Sequence, residues 1–419
     1  MTYLGILFVI ATIFLLVKKM ETRMVLIGAG IVMCAVAGSP MAALNAFNKG
    51  MMSGMITSAC SSMGFAIAMR YTGCDKHLIN FLAKLLLKVN WALIPGVVFA
   101  TFAVNMALPS AAGTAAAAGA IFIPILMGAG VHPAMAAAAV KCGTYGSMLN
   151  PGLAHNPFIA KIAKVGVMDV IAFHVTAVVI CTIVGAVLLT LLANYKKENK
   201  GHVVEGLELD NEFKVNYLYA IMPVVPIAIL LLGATKVVPI FKMGVAQAMV
   251  IGTILAMILT YVTERKTPGD ITKAFFKGMG DSYGEIIGII LAAGVFVSGL
   301  NALGVVKAFI SWMTTNPSIA KIFASVGPML LGFLVGSGDA ATFAFNEAVT
   351  PHAANFGMSI VQMGSMAELG GMMGRTMSPI AGATIIVAGI AGVDPVEVTK
   401  RNCIPILIAM VVGTLLLAL

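Results

Sequence analysis

Residues 318–356 read SIAKIFASVGPMLLGFLVGSGDAATFAFNEAVTPHAANF. An apolar run breaks at the small and polar GSGDAAT of 336–342 and resumes beyond it. Each half is shorter than the ~20 residues that a helix needs to cross ~30 Å of hydrocarbon. Irregular backbone at membrane depth is tolerated only where protein packs against it or it lines a cavity. The stretch is therefore expected to be a re-entrant hairpin. Residues 91–129 carry the same pattern about PSAAGT at 109–114, and are expected to form another.

Composition places these hairpins in a bilayer. The 419 residues are 60% hydrophobic and 10% charged, with mean hydropathy +1.00; a soluble domain carries about 25% charged residues. In water such a chain would expose far too much apolar surface. The net charge of +9 does not mark a nucleic-acid partner, because the basic residues are spread through short loops between apolar runs. Cys34, Cys60, Cys74, Cys142, Cys181 and Cys403 show neither CxxC nor metal-ligand spacing, and are read as packing thiols. No basic region precedes the apolar residues 2–17, and Lys18 and Lys19 follow them. That segment reads as a retained first helix, not a cleaved signal.

Ten runs are expected to cross: 2–17, 24–38, 51–70, 133–165, 167–194, 217–235, 243–263, 281–300, 359–392 and 395–418. Two of them are broken, by GSMLNP (146–151) and GRTMSP (374–379). Amphipathic stretches at 74–90 and 303–315 precede the hairpins and are expected along the interface.

The sequence repeats itself. AFNKGM (46–51) returns as AFFKGM (274–279), 228 residues on. Ser110 and Thr114 match Ser337 and Thr342, and Gly146 and Pro151 match Gly374 and Pro379, at offsets of 227 or 228. A shared offset and order mark an internal repeat, with residues 1–194 as the first copy, 195–216 as a cytoplasmic linker and 217–419 as the second. Five crossings plus one hairpin per copy insert the second copy upside down. With the N-terminus outside, seventeen of the 26 Lys and Arg fall on the cytoplasmic side and seven on the outer side, as the positive-inside bias requires. The expected fold is all-α and polytopic, two inverted repeats of five transmembrane helices, each with a hairpin and a broken helix. Both termini are expected on the periplasmic side.

The candidate site follows from this layout. Hairpin tips present backbone N–H groups and helix N-termini, which attract anions; Ser110, Gly113 and Thr114 lie at one tip, and Ser337, Gly338 and Thr342 at the other. At the broken helices, proline frees a carbonyl one turn earlier, and Asn150, Thr376 and Ser378 stand ready to meet substrate or a cation. Arg375 is a costly guanidinium at membrane depth, and its fork matches a carboxylate. The competing reading pairs it with Glu368 or Glu347. Lys141 is expected to meet Glu368 near the pseudo-two-fold axis. His132, His155, His174 and His352 show no ligand spacing and are read as packing or loop residues. No HExxH, GxSxG, P-loop or Rossmann pattern occurs, so no enzyme is expected. Helices that break near mid-membrane suit a carrier better than a channel.

GRTMSPIAGATIIVAGIAGVDPVEVTKRNCIPIL (374–407) resembles the C-terminal signature of the DcuC family of anaerobic four-carbon dicarboxylate carriers, within the ion-transporter superfamily. GSGDAATFAFNEAVTPHA (336–353) resembles that family's second hairpin, and PSAAGTAAAAGAIFIPILMGAG (109–130) more loosely its first. The resemblance implies an elevator-type carrier of the cell inner membrane, exchanging fumarate, succinate and malate or taking them up with protons, with succinate efflux during anaerobic growth. It implies no cofactor and a coupling ion that is H+ rather than Na+. One position departs from the family, whose second tip has asparagine after GSG where this chain has Asp339. A carboxylate there repels an anion unless it is protonated or paired with a cation. Asp339, with Asn150 and Ser378, is therefore the expected ion-coupling site, and a short-chain fatty acid, sugar acid or amino acid carried with protons or sodium stays open as the alternative. The expected partners are a small anionic substrate and the lipid bilayer, with no nucleic acid; a homodimer is left open.

Overall fold

A computed structural model of the chain describes residues 1–52, 55–87, 92–202, 213–234, 239–315 and 317–419. Among them there is no strand. The first half runs through α1 (Thr2–Val17), α2 (Thr22–Val36), α3 (Pro40–Met51), α4 (Met55–Thr72), α5 (Cys74–Leu86), α6 (Leu93–Ala107), α7 (Ala111–Gly128), α8 (Pro133–Cys142), α9 (His155–Ala163) and α10 (Val167–Tyr195). The second half runs through α11 (Tyr217–Ile221), α12 (Val225–Ala234), α13 (Val245–Glu264), α14 (Pro268–Ser282), α15 (Gly288–Ala302), α16 (Val305–Thr314), α17 (Pro317–Val335), α18 (Gly338–Ala348), α19 (Ile360–Met377), α20 (Gly382–Ala391) and α21 (Pro395–Ala418). Proline opens α3, α8, α14 and α21, where its missing N–H costs nothing. Asp394 caps α21 by accepting from the Val396 N–H at 2.7 Å.

Both expected hairpins are helix–break–helix, α6–α7 and α17–α18, and both broken helices are present. One expectation fails: α7 has 18 residues and is apolar enough to cross by length, so the halves of the first hairpin are not both too short. Among the described residues seven helical runs reach crossing length, or eight if Pro40–Met51 and Ile56–Thr72 form one bent span. That is fewer than the ten expected. The helices α1 and α2 have 16 and 15 residues, and the 133–165 run is divided into the short α8 and α9. Two further helices, α3 and α14, lie where the sequence reading had connections. α14 continues through a π-helical turn at Tyr283–Ile287 into α15, one run of 35 residues. Residues 203–212 of the expected linker, with Lys88 and Lys236, fall outside the described residues.

The order of helices recurs. Pro40 and Pro268 start α3 and α14, 228 residues apart, and Val167 and Pro395 start α10 and α21 at the same offset. So does a packing detail. A Cβ on Gly143 or Gly146 would strike the carbonyl oxygens of Val98 or Phe102 in α6. A Cβ on Gly370 or Gly374 would strike those of Ser325 or Met329 in α17. In each half, then, the hairpin's first helix meets the broken helix backbone to backbone, an approach that small residues permit between membrane helices.

The halves interlock. α2 packs on α15, α4 on α13 and α14, and α10 on α21, where the Cys181 thiol reaches the Ala409 carbonyl at 3.1 Å. Just beyond α10, Glu198 receives a two-pronged bond from Arg401 of α21, at 2.5 and 2.8 Å; both side chains are largely buried.

Candidate functional site

The first tip is built from α7 backward. Ser110 caps α7, its hydroxyl accepting from the Gly113 N–H at 3.1 Å. Thr114 is buried and receives the Asn105 amide at 3.2 Å. The other end of that amide accepts the Ser147 N–H of the first broken helix at 2.9 Å. Asn105 therefore ties tip to break.

At the break itself, residues 146–149 form a 3-10 turn and Asn150 is extended. Asn150 donates to the Met106 carbonyl at 2.7 Å and accepts the Gly152 N–H at 2.7 Å. Its own carbonyl, with that of Met148, is taken by the Asn156 amide. The backbone groups freed by the break are thus held by asparagines, which answers the cost of leaving them bare in a membrane.

The second tip is tighter. Gly338 lies so close to α19 that a Cβ would strike the Gly371 carbonyl, and the Thr342 hydroxyl occupies the space a Gly371 Cβ would need. Ser337 stands at the N-cap position of α18 without a side-chain capping bond. Asp339, in the first turn of α18, meets His155 at the start of α9: Nε2 to Oδ1 is 2.9 Å. His155 is buried, while the Asp339 side chain keeps 29% exposure. The imidazole also stacks on Phe343, with centroids 4.2 Å apart, and its Nδ1 is buried without a partner. The reading of His155 as a packing residue is corrected here, because the imidazole is the direct partner of the tip carboxylate across 184 residues of chain. His132 and His174 are satisfied as expected, by the Ala134 N–H and by Ser365 with the Met148 carbonyl.

Arg375 lies on α19, two residues before its end. One Nη donates to the Thr144 carbonyl at 3.2 Å, and Nε is buried without a partner. No carboxylate pairs with it among the described residues, so the structural pairing with Glu368 or Glu347 is not formed. The expected meeting of Lys141 and Glu368 is not formed either. Lys141 Nζ and both Glu368 carboxylate oxygens are fully buried and lack hydrogen-bond partners among the described residues. Equivalent positions in a repeat fix equivalent heights on α8 and α19, not contact. Thr376 bonds back to the Met372 carbonyl at 2.8 Å, a local helix bond that leaves little for a ligand. The Ser378 hydroxyl is buried and unpartnered, and its carbonyl accepts from Thr384 at 2.7 Å.

Cross-repeat contacts thus bring together the second tip, both breaks and Arg375, while the first tip joins through Asn105. Sequence reading missed Asn105, Asn156 and His155. The signal available was an amide or imidazole beside a predicted break.

A family model described as the C4-dicarboxylate anaerobic carrier DcuC matches residues 62–419. The chain belongs to the DcuC family. A transporter of Haemophilus influenzae is 41% identical over 283 residues, covering 63% of this chain and 97% of that protein. The anaerobic C4-dicarboxylate transporter DcuC of Escherichia coli is 26% identical over 368 residues, 85% of this chain and 78% of that one. The resemblance found in residues 336–353 and 374–407 was therefore to the right family, and the chain is an integral membrane protein of a transporter family. In this chain the Asp339–His155 pair and the half-used Arg375 are two of the polar features where the halves meet.

Proposed function

We propose that this DcuC member is a secondary carrier of four-carbon dicarboxylates in the cell inner membrane. It exchanges fumarate or malate for succinate, or moves them with protons, and so exports succinate. The observation that carries this reading is Arg375, a half-buried guanidinium beside the second tip with unused donors and no carboxylate partner among the described residues. Such a fork accepts a carboxylate in a bidentate manner. The second carboxylate of a four-carbon acid lies toward Ser378 or the tip hydroxyls of Ser110 and Ser337. The His155–Asp339 pair refines the coupling site. A carboxylate and an imidazole sharing a hydrogen bond can hold the coupling proton between them, which removes the objection that Asp339 would repel an anion. Counterflow of labelled succinate in proteoliposomes, with competition by fumarate, malate, amino acids and sugar acids, tests the substrate class. Competition by amino acids or sugar acids alone would overturn it.

The two halves act as inverted repeats in an elevator movement, with both termini periplasmic. The recurrent glycine contacts and helix order support this. A reporter at position 205 should then be reached from the cytoplasm and a reporter at the C-terminus from outside; a cytoplasmic C-terminus removes the inversion.

A further inference from the structure

A cavity of about 620 Å3 lies between the end of α4, one face of α5 and α7. It runs beside α7 from Gly113, in the helix's first turn, to Ile125 near its last. The α7 wall is small near the tip, at Gly113, Ala116 and Ala120, and bulkier beyond, at Ile121 and Ile125. The facing wall brings three cations, Arg70, Lys76 and Lys84, against one carboxylate, Asp75. Asp75 is buried and accepts the Lys76 backbone N–H at 2.7 Å. Lys84 donates to the Phe213 carbonyl at 2.9 Å. Arg70 and Lys76 are exposed, and their side chains form no hydrogen bond or ion pair among the described residues. The Arg70 guanidinium rests on Gly113, where a Cβ would strike its Nη2. Gly113 in turn donates its N–H to Ser110 at the first hairpin tip. The cationic wall therefore leads to that tip. The second half is packed differently: α18 packs on α15, whereas α7 makes no comparable packing against α4 among the described residues.

A cleft in which one charge sign predominates, with low-dielectric walls, focuses its field and raises the local concentration of counter-ions. A guanidinium and an ammonium on one wall suit a ligand with two carboxylates better than one with a single charge. We propose that this cleft is a collecting site for the dicarboxylate ahead of the first hairpin tip, with Arg70 receiving one carboxylate and Lys76 the other. The ligand class rests on the dicarboxylate reading above; the site does not, since its charge would gather other small anions too. Lipid tails would be the occupant if the cations only faced water at the rim.

The test uses the full chain in oriented proteoliposomes. Arg70→Gln should raise KM for succinate about tenfold at the face where the cleft opens, and not at the opposite face, while Arg70→Lys stays near the parent. The difference should shrink between low and 1 M ionic strength, where the screening length falls from about 30 to about 3 Å. A second measurement needs no transport. Ala120→Cys places a thiol in the cleft, and succinate or sulfate should slow its maleimide labelling while succinamide does not; adding Arg70→Gln should remove that protection. An equal KM rise at both faces, an unchanged KM at low salt, or labelling that no anion slows overturns the proposal. Failure of the dicarboxylate reading looks different: the parent then shows no succinate counterflow, yet anions still protect position 120.

Discussion

Arg375→Lys should weaken succinate binding by about 2–5 kcal/mol, roughly 30-fold or more. The ammonium keeps the charge but loses the planar fork that grips both oxygens of a carboxylate. The structure sharpens the expectation in two ways. No carboxylate pairs with Arg375 among the described residues, so the substitution breaks no structural ion pair. Its one resolved bond goes to the Thr144 carbonyl, which an ammonium can also serve. The check is equilibrium binding to purified protein whose thermal unfolding matches the parent. Parent-like binding by Arg375→Lys would show that the residue is a strut between α19 and the first break.

The coupling prediction turns on a pair rather than on one residue. Asp339→Asn removes the acidic member of the hydrogen bond with His155 and places there the residue expected of the family. His155→Gln removes the basic member and keeps a side chain of similar reach. Both variants should retain exchange of internal for external succinate. Both should also lose accumulation driven by an imposed pH gradient, so that uptake falls to the level set by exchange alone. The measurement is uptake into proteoliposomes with and without the gradient, repeated with and without sodium. Intact pH-driven accumulation in both variants excludes the pair as the coupling site. Strict sodium dependence in the parent would assign Asp339, with Asn150 and Ser378, to a cation instead.

Much of this fold was legible because membranes leave few options. Long apolar runs, the two polar tips and the two proline breaks each correspond to a described element. The helices α3 and α14 escaped because they mix Asn45, Asn48 and Lys49, or Asp270, Lys273 and Lys277, into their faces, and a hydropathy run ends at such residues. The 228-residue offset was legible in motifs and recurs in the helix starts, and close glycine contacts recur just past α8 and in α19. Long-range partners were not legible. The bond between Asp339 and His155, and that between Arg375 and the Thr144 carbonyl, join residues 184 and 231 apart, and no local pattern announces them. The Lys141–Glu368 expectation failed for the same reason, since it inferred contact from equivalent sequence position alone.

The Glu198–Arg401 clasp has a mechanical meaning. Pulling one partner from a buried ion pair costs about 3–5 kcal/mol, and this pair joins the chain just past α10 to the second turn of α21. Farther along, the Cys181 thiol engages the Ala409 carbonyl on the same two helices. Fastened at two heights, α10 and α21 behave as a single girder. Shear between them is not a low-energy motion, so any displacement during the working cycle must find its slip plane elsewhere in the molecule.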